Sequence, residues 1–398
     1  MNPNDIVVLG GARTPFGKFG GSFKDVSATE LGAAAAKAAL AAANVRPEQV
    51  DHVVFGNVIQ SSRDAAYLAR HVGLYAGLPI TVPGLTLNRL CGSGMEAIIE
   101  AARMIKAGEA QIVLAGGTEN MSMAPFVNRS ARWGAGLGEN IVFEDALWQG
   151  LTDSFCNMPM AITAENVAKQ YGITREEQDL LAFKSQKRAA AAWAEGRLAE
   201  EVVPVQGKDS RGKPATVAQD EHLRPDTTLE GLAKLPARFI PTGGTVTAGN
   251  ASGIVDGAAA LVIASARRAQ ELGLKPWARL VSWGIAGVQP ETMGIGPVPA
   301  NRIALERAGL TVKDIGLWEI NEAFAAQCVA CVKELDFDPE LLNVNGGAIA
   351  IGHPLGATGA RLALTLIKEM HRRKVQFGSA SMCIGGGMGS AGIFELVE

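Results

Sequence analysis

The amino-acid sequence predicts an α/β fold built from two related halves, with a further lobe inserted between them. Strand-like apolar runs alternate with helix-like segments in the first third of the chain and again in the last third. Such alternation is typical of βαβ units around a largely parallel sheet. The composition changes over the intervening residues 120–250. The many glycines and alanines, with only 6% aromatic residues, favour tight βα turns over an aromatic-rich β-sandwich.

The first third of the chain predicts three strands and two helices. The second helix is the clearest, because apolar residues recur along it at steps of three and four positions. These residues are Met95, Ile98, Ile99, Ala102 and Ile105. The strands are expected at 6–9, 53–55 and 112–115, and the helices at 29–43 and 92–107.

The last third repeats this order of elements. Its strands are expected at 260–264, 317–320 and 377–382, with helices near 300–309 and 357–373. Residues 40–45 resemble residues 305–310, and each segment precedes a strand. Leu87-Asn88 and Val344-Asn345 each precede a glycine-rich turn and a helix. Two such repeated patterns in the same order indicate a duplicated α/β half.

The region between the halves predicts an inserted loop domain. Thr174 and Glu177 have the spacing of a capping box that opens a helix. A long stretch rich in proline, glycine and charge follows, and such a loop is unusual unless it serves a function such as covering a site. We expect a first half at 1–120 completed by 250–270, the inserted loop domain at 121–249, and a second half at 271–398.

Charge and cysteine content exclude several classes of protein. The 398 residues include 40 acidic and 37 basic side chains without a basic stripe, so nucleic acid is not an expected partner. Five cysteines do not suggest a disulfide framework. The N-terminus has no signal-peptide pattern, and Lys37 interrupts the alanine-rich run at 32–43. We expect a soluble, cytoplasmic protein without membrane partners.

Cys91 is the first candidate catalytic residue. It directly precedes the helix at 92–107, where unpaired backbone N–H groups and the positive end of the helix dipole favour a thiolate. Gly92 and Gly94 would let a substrate carbonyl approach the backbone closely. The alternative interpretation is a small, buried core residue.

His353 and Cys383 are further candidates in the second half. His353 lies in a glycine-rich turn before the helix at 357–373 and so mirrors Cys91. Its imidazole could take a thiol proton near neutral pH, although a solvated loop histidine has the same pattern. Cys383 ends a strand and opens a glycine run whose backbone N–H groups could bind an anionic oxygen. Taken alone, Cys383 is typical of a core cysteine.

Asn321 and a pair of cysteines carry weaker signals. Asn321 falls at a strand-to-helix turn, where it could cap the helix or position a water molecule. Cys328 and Cys331 form a CxxC pair inside a helical pattern without a second pair at metal-binding spacing. Packed thiols are therefore favoured over a redox or zinc site, and no metal is expected.

These segments together resemble the signature motifs of the thiolase family, in the family's order and over essentially the whole chain. The resemblance implies a thiolase-like duplicated αβαβα layered fold with an inserted loop domain. The motifs are Cys91 with Gly92-Ser93-Gly94, Asn321-Glu322-Ala323-Phe324, Asn345-Gly346-Gly347 through Gly352-His353-Pro354, and Cys383-Ile384-Gly385-Gly386-Gly387.

The resemblance implies a role for each of these residues. Cys91 would carry the acyl group as a thioester, and His353 would take its proton. Cys383 would remove or return a proton at the acetyl methyl group. Backbone N–H groups near Cys91 and Gly385 would form one oxyanion site, and His353 with a water molecule held by Asn321 would form the other. A covalent intermediate predicts ping-pong kinetics.

The resemblance also implies that the inserted loop domain binds coenzyme A, as a substrate thioester and not as a cofactor. We expect no other cofactor, and the family implies a homodimer or a homotetramer. Without the resemblance, Arg224 would be interpreted as a solvated surface charge. Carried over position by position, Arg224 lies at the nucleotide end, Ala248 and Ser252 along the pantetheine tunnel, and Met160, Met293 and Phe324 around the acyl group.

Two substrate ranges are compatible with these motifs. The first expectation is an acetyl-CoA C-acetyltransferase, which condenses two acetyl-CoA into acetoacetyl-CoA. The alternative is a degradative 3-ketoacyl-CoA thiolase of fatty-acid β-oxidation. Pro159 stands where the short-chain biosynthetic enzymes have histidine, and Gly231 where they have serine. The local sequences at 151–160 and 220–225 look more like the mitochondrial degradative type.

Two other classes fit less well. A fatty-acid or polyketide ketosynthase would have a histidine in place of Asn321 and no thiol at Cys383. A non-catalytic acyl-binding protein on the same fold would be expected to have lost Cys91 or His353, and both are present.

Overall fold

The computed structural model describes residues 1–397, which form sixteen strands and twelve α-helices. The strands are β1 (Ile6–Arg13), β2 (Gly17–Lys18), β3 (His52–Gly56), β4 (Gly84–Leu87), β5 (Ile112–Glu119), β6 (Phe126–Val127), β7 (Glu144–Asp145), β8 (Thr152–Asp153), β9 (Met158–Pro159), β10 (Val205–Lys208), β11 (Pro214–Val217), β12 (Val255–Ser265), β13 (Ala278–Gly287), β14 (Leu317–Ile320), β15 (Phe377–Ile384) and β16 (Met388–Leu396). The helices are α1 (Ala28–Ala42), α2 (Leu68–Tyr75), α3 (Ser93–Ala107), α4 (Ala146–Gly150), α5 (Met160–Tyr171), α6 (Arg175–Ala194), α7 (Leu229–Ala233), α8 (Ala266–Glu271), α9 (Pro297–Ala308), α10 (Ala325–Leu335), α11 (Ala348–Ile351) and α12 (Thr358–Arg373).

The two halves have the same strand order and the same strand directions. The hydrogen-bonded path runs β14-β15-β16-β13-β1-β12-β5-β3-β4. β3 is parallel to β5 as β14 is to β15, and β12 is antiparallel to β5 as β16 is to β15. The pairing of β3 with β4 also has a counterpart, because Trp318 makes a parallel bridge to Leu342. The predicted duplication is confirmed.

Helices cover both faces of each half-sheet. α3 and α12 pack against each other between the two halves, α1 covers the outer face of the first half, and α9 covers that of the second. The central core joins side chains of both inner helices, such as Ile98 and Leu366, to both half-sheets. Separate apolar cores lie under α1 and under α9 and α10. The expected αβαβα layering is therefore present.

All ten elements expected in the two halves are present, but β13 and β16 were not predicted. Their glycines obscured the strand pattern. A Cβ at Gly284 of β13 would lie 2.1 Å from the Ala300 carbonyl oxygen, and one at Gly389 of β16 would lie 1.9 Å from that of Gly296. The glycines therefore serve close packing of α9 on the sheet instead of marking turns.

The segment expected to form the inserted loop domain contains α4 to α7 and six short strands. The capping box is confirmed, because the Glu177 N–H donates to Thr174 Oγ1 at 3.2 Å and the Thr174 N–H donates to Glu177 Oε2 at 2.7 Å. The charged loop contains the hairpin of β10 and β11. The exact domain boundaries stay a prediction. Within residues 1–397, no helix has the length and apolar character needed to cross a membrane.

A buried ion cluster joins this segment to the first half. The Arg13 guanidinium is fully buried and donates to Glu201 at 2.6 Å and to both Asp220 oxygens at 2.7 and 2.9 Å. Thr365 on α12 donates to the same Glu201 carboxylate at 3.0 Å. The two carboxylates raise the pKa of Arg13 despite its burial. The guanidinium of Arg13 therefore links β1, the segment between the halves and, through Glu201, α12.

Replacing Arg13 with leucine is expected to lower the free energy of unfolding by about 3–5 kcal/mol, because two buried carboxylates lose their only cation in the cluster. Urea unfolding measures the change. Arg302→Leu is the control, since its pair with Glu334 at 3.4 Å lies on the surface and contributes at most about 1 kcal/mol. Equal effects of both substitutions would contradict the interpretation.

Candidate active site

Cys91 lies in a tight turn between β4 and α3 that is packed against the second half. Leu90 has a φ of 49°, in the left-handed region. The Ser93 hydroxyl closes the turn by accepting from the Arg89 N–H at 2.9 Å and donating to the Leu90 carbonyl at 2.7 Å. A Cβ at Gly92 would lie 2.4 Å from Ile384 Cδ1 at the end of β15, so a larger residue here would displace the Ile384 side chain.

Cys383 and Gly385 reach the same place from the second half. Cys383 is the penultimate residue of β15 and is 1% exposed. The Gly385 backbone N–H is placed to hydrogen-bond the Cys91 sulfur and lowers the pKa of that thiol. Cys383 precedes Gly385 by two residues, and a negative charge on Cys91 would raise the pKa of the Cys383 thiol further above the value set by burial. The structure thus brings all three groups together.

His353 is held in one orientation by a chain of hydrogen bonds. Its backbone N–H donates to the Gly253 carbonyl at 3.0 Å. The Thr358 hydroxyl donates to the Pro354 carbonyl at 3.0 Å, so it accepts from His353 Nδ1 at 2.5 Å. This pattern assigns the proton of the neutral ring to Nδ1. Nε2 is then the basic nitrogen, and it accepts from Asn321 Nδ2 at 3.3 Å.

Asn321 is fully buried at the end of β14. The interpretation as a helix cap is wrong, because α10 begins at Ala325 and its N-cap residue is Phe324. Asn321 Oδ1 is buried and has no hydrogen-bond partner among residues 1–397. An amide with one arm on His353 and an unsatisfied oxygen fits a role in holding a water molecule.

Cys328 and Cys331 lie inside α10 and are fully buried. The Cys328 thiol lies 3.4 Å from the Asn321 carbonyl oxygen, and the Cys331 thiol lies 3.5 Å from that of Gly294. No group of three or more metal-binding side chains occurs within residues 1–397. The placement is that of packed thiols behind the site.

The protonation states in the resting site differ from the expectation for a helix N-terminus. Burial raises the pKa of Cys91 to about 11, outweighing the Gly385 N–H and the residue's own backbone N–H. Burial, assisted by the Arg361 cation, lowers the pKa of His353 to about 3. The pair is therefore a neutral thiol and a neutral imidazole. An attack by this sulfur on a substrate would therefore require a base to take its proton.

The predicted coenzyme A residues line two cavities on the loop 248–252. Arg224 and Ala248 line the first, of about 240 Å³, together with Gly231. Ser252 lines the second, also of about 240 Å³, together with Pro159. Ala248 and Ser252 were expected to share one tunnel, and the structure places them in neighbouring cavities on one loop.

The second cavity is the candidate acyl pocket. Met160 and Phe324 line it as expected, but Met293 does not: it is 2% exposed and packs behind the pocket against Cys383. The sequence did not point to most of the lining, because the residues come from separate turns. The unpredicted apolar members are Leu147, Trp148, Leu151, Ala161, Phe239, Ala251 and Ile254.

Two polar positioning residues were also missed by the sequence interpretation. Thr358 orients His353, and its signal was a hydroxyl in the first turn of the helix that follows the histidine. Glu119 ends β5 and is fully buried. Nothing in the local sequence distinguishes it, since its partners come from two distant loops.

Alkylation of Cys91 by iodoacetamide is expected to accelerate about tenfold per pH unit from pH 7 to about pH 10. The thiolate is the reactive form, and a pKa of about 11 keeps most of the residue protonated over that range. Mass spectrometry of the peptide that contains Cys91 measures the rate. Glutathione is the control, because its ordinary thiol pKa of about 8.5–9 makes its rate level off. A plateau for Cys91 below pH 8 would contradict the raised pKa.

The described geometry is that of an acyl-transfer site: a half-buried thiol, an oriented imidazole, a backbone N–H at the sulfur and a second thiol. Comparisons with known proteins agree. The family models "Thiolase, N-terminal domain" and "Thiolase, C-terminal domain" match residues 6–267 and 274–396.

Two relatives and one solved structure are similar over nearly the whole chain. Human mitochondrial 3-ketoacyl-CoA thiolase is 51% identical, over 98% of both chains. An acetyl-CoA acetyltransferase of Syntrophomonas wolfei is 49% identical, over 98% of this chain and 99% of its own. The crystal structure of the human mitochondrial enzyme in complex with CoA has a TM-score of 0.96 at 50% identity, covering 99% of this chain and 98% of that one. The chain belongs to the thiolase family of acyltransferases.

Proposed function

We propose that this thiolase cleaves 3-ketoacyl-CoA with coenzyme A and also runs the reverse Claisen condensation. The observation that supports this most directly is the convergence of Cys91, His353, Asn321 and Cys383 from both halves of the chain, beside an apolar cavity. Each of these side chains has a chemical task in one half-reaction.

In the first half-reaction, Cys91 attacks the 3-keto carbon while its proton passes to His353 Nε2. The backbone N–H groups of Cys91 and Gly385 stabilise the tetrahedral oxyanion. The bond between carbons 2 and 3 then breaks, which leaves the shortened acyl group on Cys91 and releases the enolate of acetyl-CoA. Cys383 donates a proton to that enolate. Burial raises the pKa of Cys383 and keeps it a thiol, which suits a proton donor.

The enolate oxygen needs its own donors. His353, protonated by then, and a water molecule on Asn321 Oδ1 would supply them. In the second half-reaction, the coenzyme A thiol gives its proton to the Cys383 thiolate and its sulfur attacks the thioester on Cys91. The bond between the acyl carbon and the Cys91 sulfur then breaks, acyl-CoA leaves, and His353 returns its proton to Cys91, so that all three groups regain their starting states. Two products that leave in sequence make the kinetics ping-pong.

The substrate range that we propose extends beyond acetoacetyl-CoA. The acyl pocket has an apolar lining that includes Leu147, Trp148 and Ile254, which suits an aliphatic chain. Pro159 lines it where the short-chain biosynthetic pattern has histidine. The human relative is named 3-ketoacyl-CoA thiolase, and its structure was solved with CoA. Arg224, at the other cavity, would meet the nucleotide end of coenzyme A.

Condensation of two acetyl-CoA, the first expectation from the sequence, is the second candidate. One relative, 49% identical, is named acetyl-CoA acetyltransferase, and another, 51% identical, is named 3-ketoacyl-CoA thiolase. Sequence identity alone therefore does not separate the two substrate ranges. No cofactor is part of either reaction as proposed. A cytoplasmic location and a homodimeric or homotetrameric assembly stay predictions.

Incubation with 3-ketooctanoyl-CoA in the absence of free coenzyme A is expected to leave a hexanoyl group on Cys91, detectable by mass spectrometry. In steady state, kcat/KM for this substrate is expected to exceed that for acetoacetyl-CoA by about tenfold or more, because each buried methylene adds binding energy. Cys91→Ser is the control for the position of the adduct. A preference for acetoacetyl-CoA by the same margin would favour the second candidate, and absence of any adduct would contradict catalysis at Cys91.

Replacing Asn321 with alanine is expected to lower kcat about 10²–10³-fold, with a much smaller change in KM, because a donor to the enolate oxygen is lost. Steady-state thiolysis of acetoacetyl-CoA measures both constants. Asn301→Ala is the matched control: it is another fully buried asparagine, and its amide bonds only Pro297 and Ser379. Loss of activity in both variants to the same extent would show a general packing effect instead.

A further inference from the structure

Glu119 is a buried carboxylate that binds four N–H groups from two loops. It accepts from Ile59 N and Asn57 Nδ2 on one oxygen, at 2.9 and 3.1 Å. On the other oxygen it accepts from Val58 N at 3.0 Å and from Gly356 N at 2.9 Å. No lysine, arginine or histidine among residues 1–397 makes an ion pair with it. Backbone and amide dipoles alone therefore compensate its charge.

The two loops belong to different halves of the chain. Residues 57–59 follow β3 in the first half, while Gly356 belongs to the turn that carries His353. Glu119 itself ends β5, between them. One carboxylate therefore fastens the turn of the proposed base to the half that carries the proposed nucleophile.

Close backbone contacts link this turn to its neighbours, so that any shift of the turn is transmitted to them. A Cβ at Gly117 would lie 1.8 Å from the Gly356 carbonyl oxygen, and one at Gly94 would lie 3.0 Å from the same atom. Leu355, next to Gly356, packs in one cluster with Ile59 and Cys91. A displacement of Gly356 would therefore move the residues packed against Cys91. It would also move His353, which lies three residues earlier in the same turn.

We propose that Glu119 is a positioning residue that sets the distance between Cys91 and His353, by tying the histidine turn to the loop after β3. This inference rests on the proposed function, because it assigns Cys91 and His353 to one proton transfer. Glu119 touches neither the reacting atoms nor a substrate. Its charge also raises the pKa of the Cys91 thiol, so loss of that charge would by itself favour the thiolate. A fall in rate when Glu119 is replaced would therefore report the position of the turn.

The chemistry of the site requires an ionised carboxylate at this position. Four donors point at two oxygens, so neither oxygen can carry a hydrogen without facing another N–H group. Burial raises the pKa of Glu119 to about 7, and the backbone N–H groups of Ile59, Val58 and Gly356 oppose that rise. Glutamine has nearly the same shape but puts an NH₂ group against those donors. It would push at least one loop away.

The test compares Glu119→Gln with the wild-type enzyme. We expect kcat for acetoacetyl-CoA thiolysis to fall about tenfold to a hundredfold while KM changes less than about twofold, since a misplaced base slows chemistry without touching the binding cavities. The rate of Cys91 acylation, followed by rapid quench and mass spectrometry, should fall by the same factor. Asn57→Ala, which removes one donor and leaves the carboxylate, should cause a smaller fall of about two- to fivefold in kcat.

Asp51→Asn is the matched control. Asp51 accepts the backbone N–H groups of Gln111 and Ile112, at 2.8 and 2.9 Å, at the opposite end of β5. We expect wild-type kcat and acylation rate in this variant, whatever its melting temperature. If Glu119→Gln does not fold, Asn57→Ala carries the test.

The possible outcomes separate this proposal from the proposed function. One outcome is that Cys91 is acylated in the wild-type enzyme and that the folded Glu119→Gln variant has an unchanged kcat. This outcome would overturn the positioning role and leave the thiolase reaction intact. If Glu119→Gln does not fold, an unchanged kcat in Asn57→Ala would have the same meaning. A rise in KM without a fall in kcat, in either variant, would also overturn the positioning role. Absence of acylated Cys91 in the wild-type enzyme would overturn both.

Discussion

The backbone contact between α3 and α12 is the constraint on which the rest of the structure depends. The two helices begin side by side with almost no side chain between them. A Cβ at Gly359 would lie 2.2 Å from the Met95 backbone nitrogen, and one at Gly94 would lie 2.7 Å from that of Ala360. Since Cys91 precedes one helix and His353 the other, the contact that joins the halves also brings the proposed nucleophile and the proposed base to the same end of the helix pair. Glycine at these crossings therefore helps to set the geometry of the candidate site.

Burial determines how the site works electrostatically. Removing charge from water favours a neutral thiol at Cys91, a neutral imidazole at His353 and a protonated Cys383. A resting thiolate is thereby avoided, and charge forms only when a substrate occupies the site. In the proposed reaction, stabilisation would come from groups already in place, namely the Gly385 N–H and the Asn321 amide. They need no reorganisation as the oxyanions develop.

The buried carboxylates near Arg13 and the one at the end of β5 are compensated in different ways. Glu201 and Asp220 pair with the Arg13 cation and attach the segment between the halves to β1 and α12. Glu119 has no such cation and binds backbone N–H groups. The carboxylates near Arg13 hold parts of the fold together, whereas Glu119 holds a short turn in place. Either would be costly to bury without its partners, which explains why each is fully satisfied.

The sequence by itself determined the alternation of most elements and the duplication, and it pointed to Cys91, His353 and Cys383 as candidate site residues, because apolar periodicity and motif order are local properties of the chain. It did not reveal β13 and β16, whose glycines serve helix packing. Only the tertiary structure decided the raised pKa of Cys91, the tautomer of His353, the place of Met293 behind the pocket and the N–H groups that surround Glu119. Each of these depends on burial and on partners far away in the chain, and no local pattern carries that information.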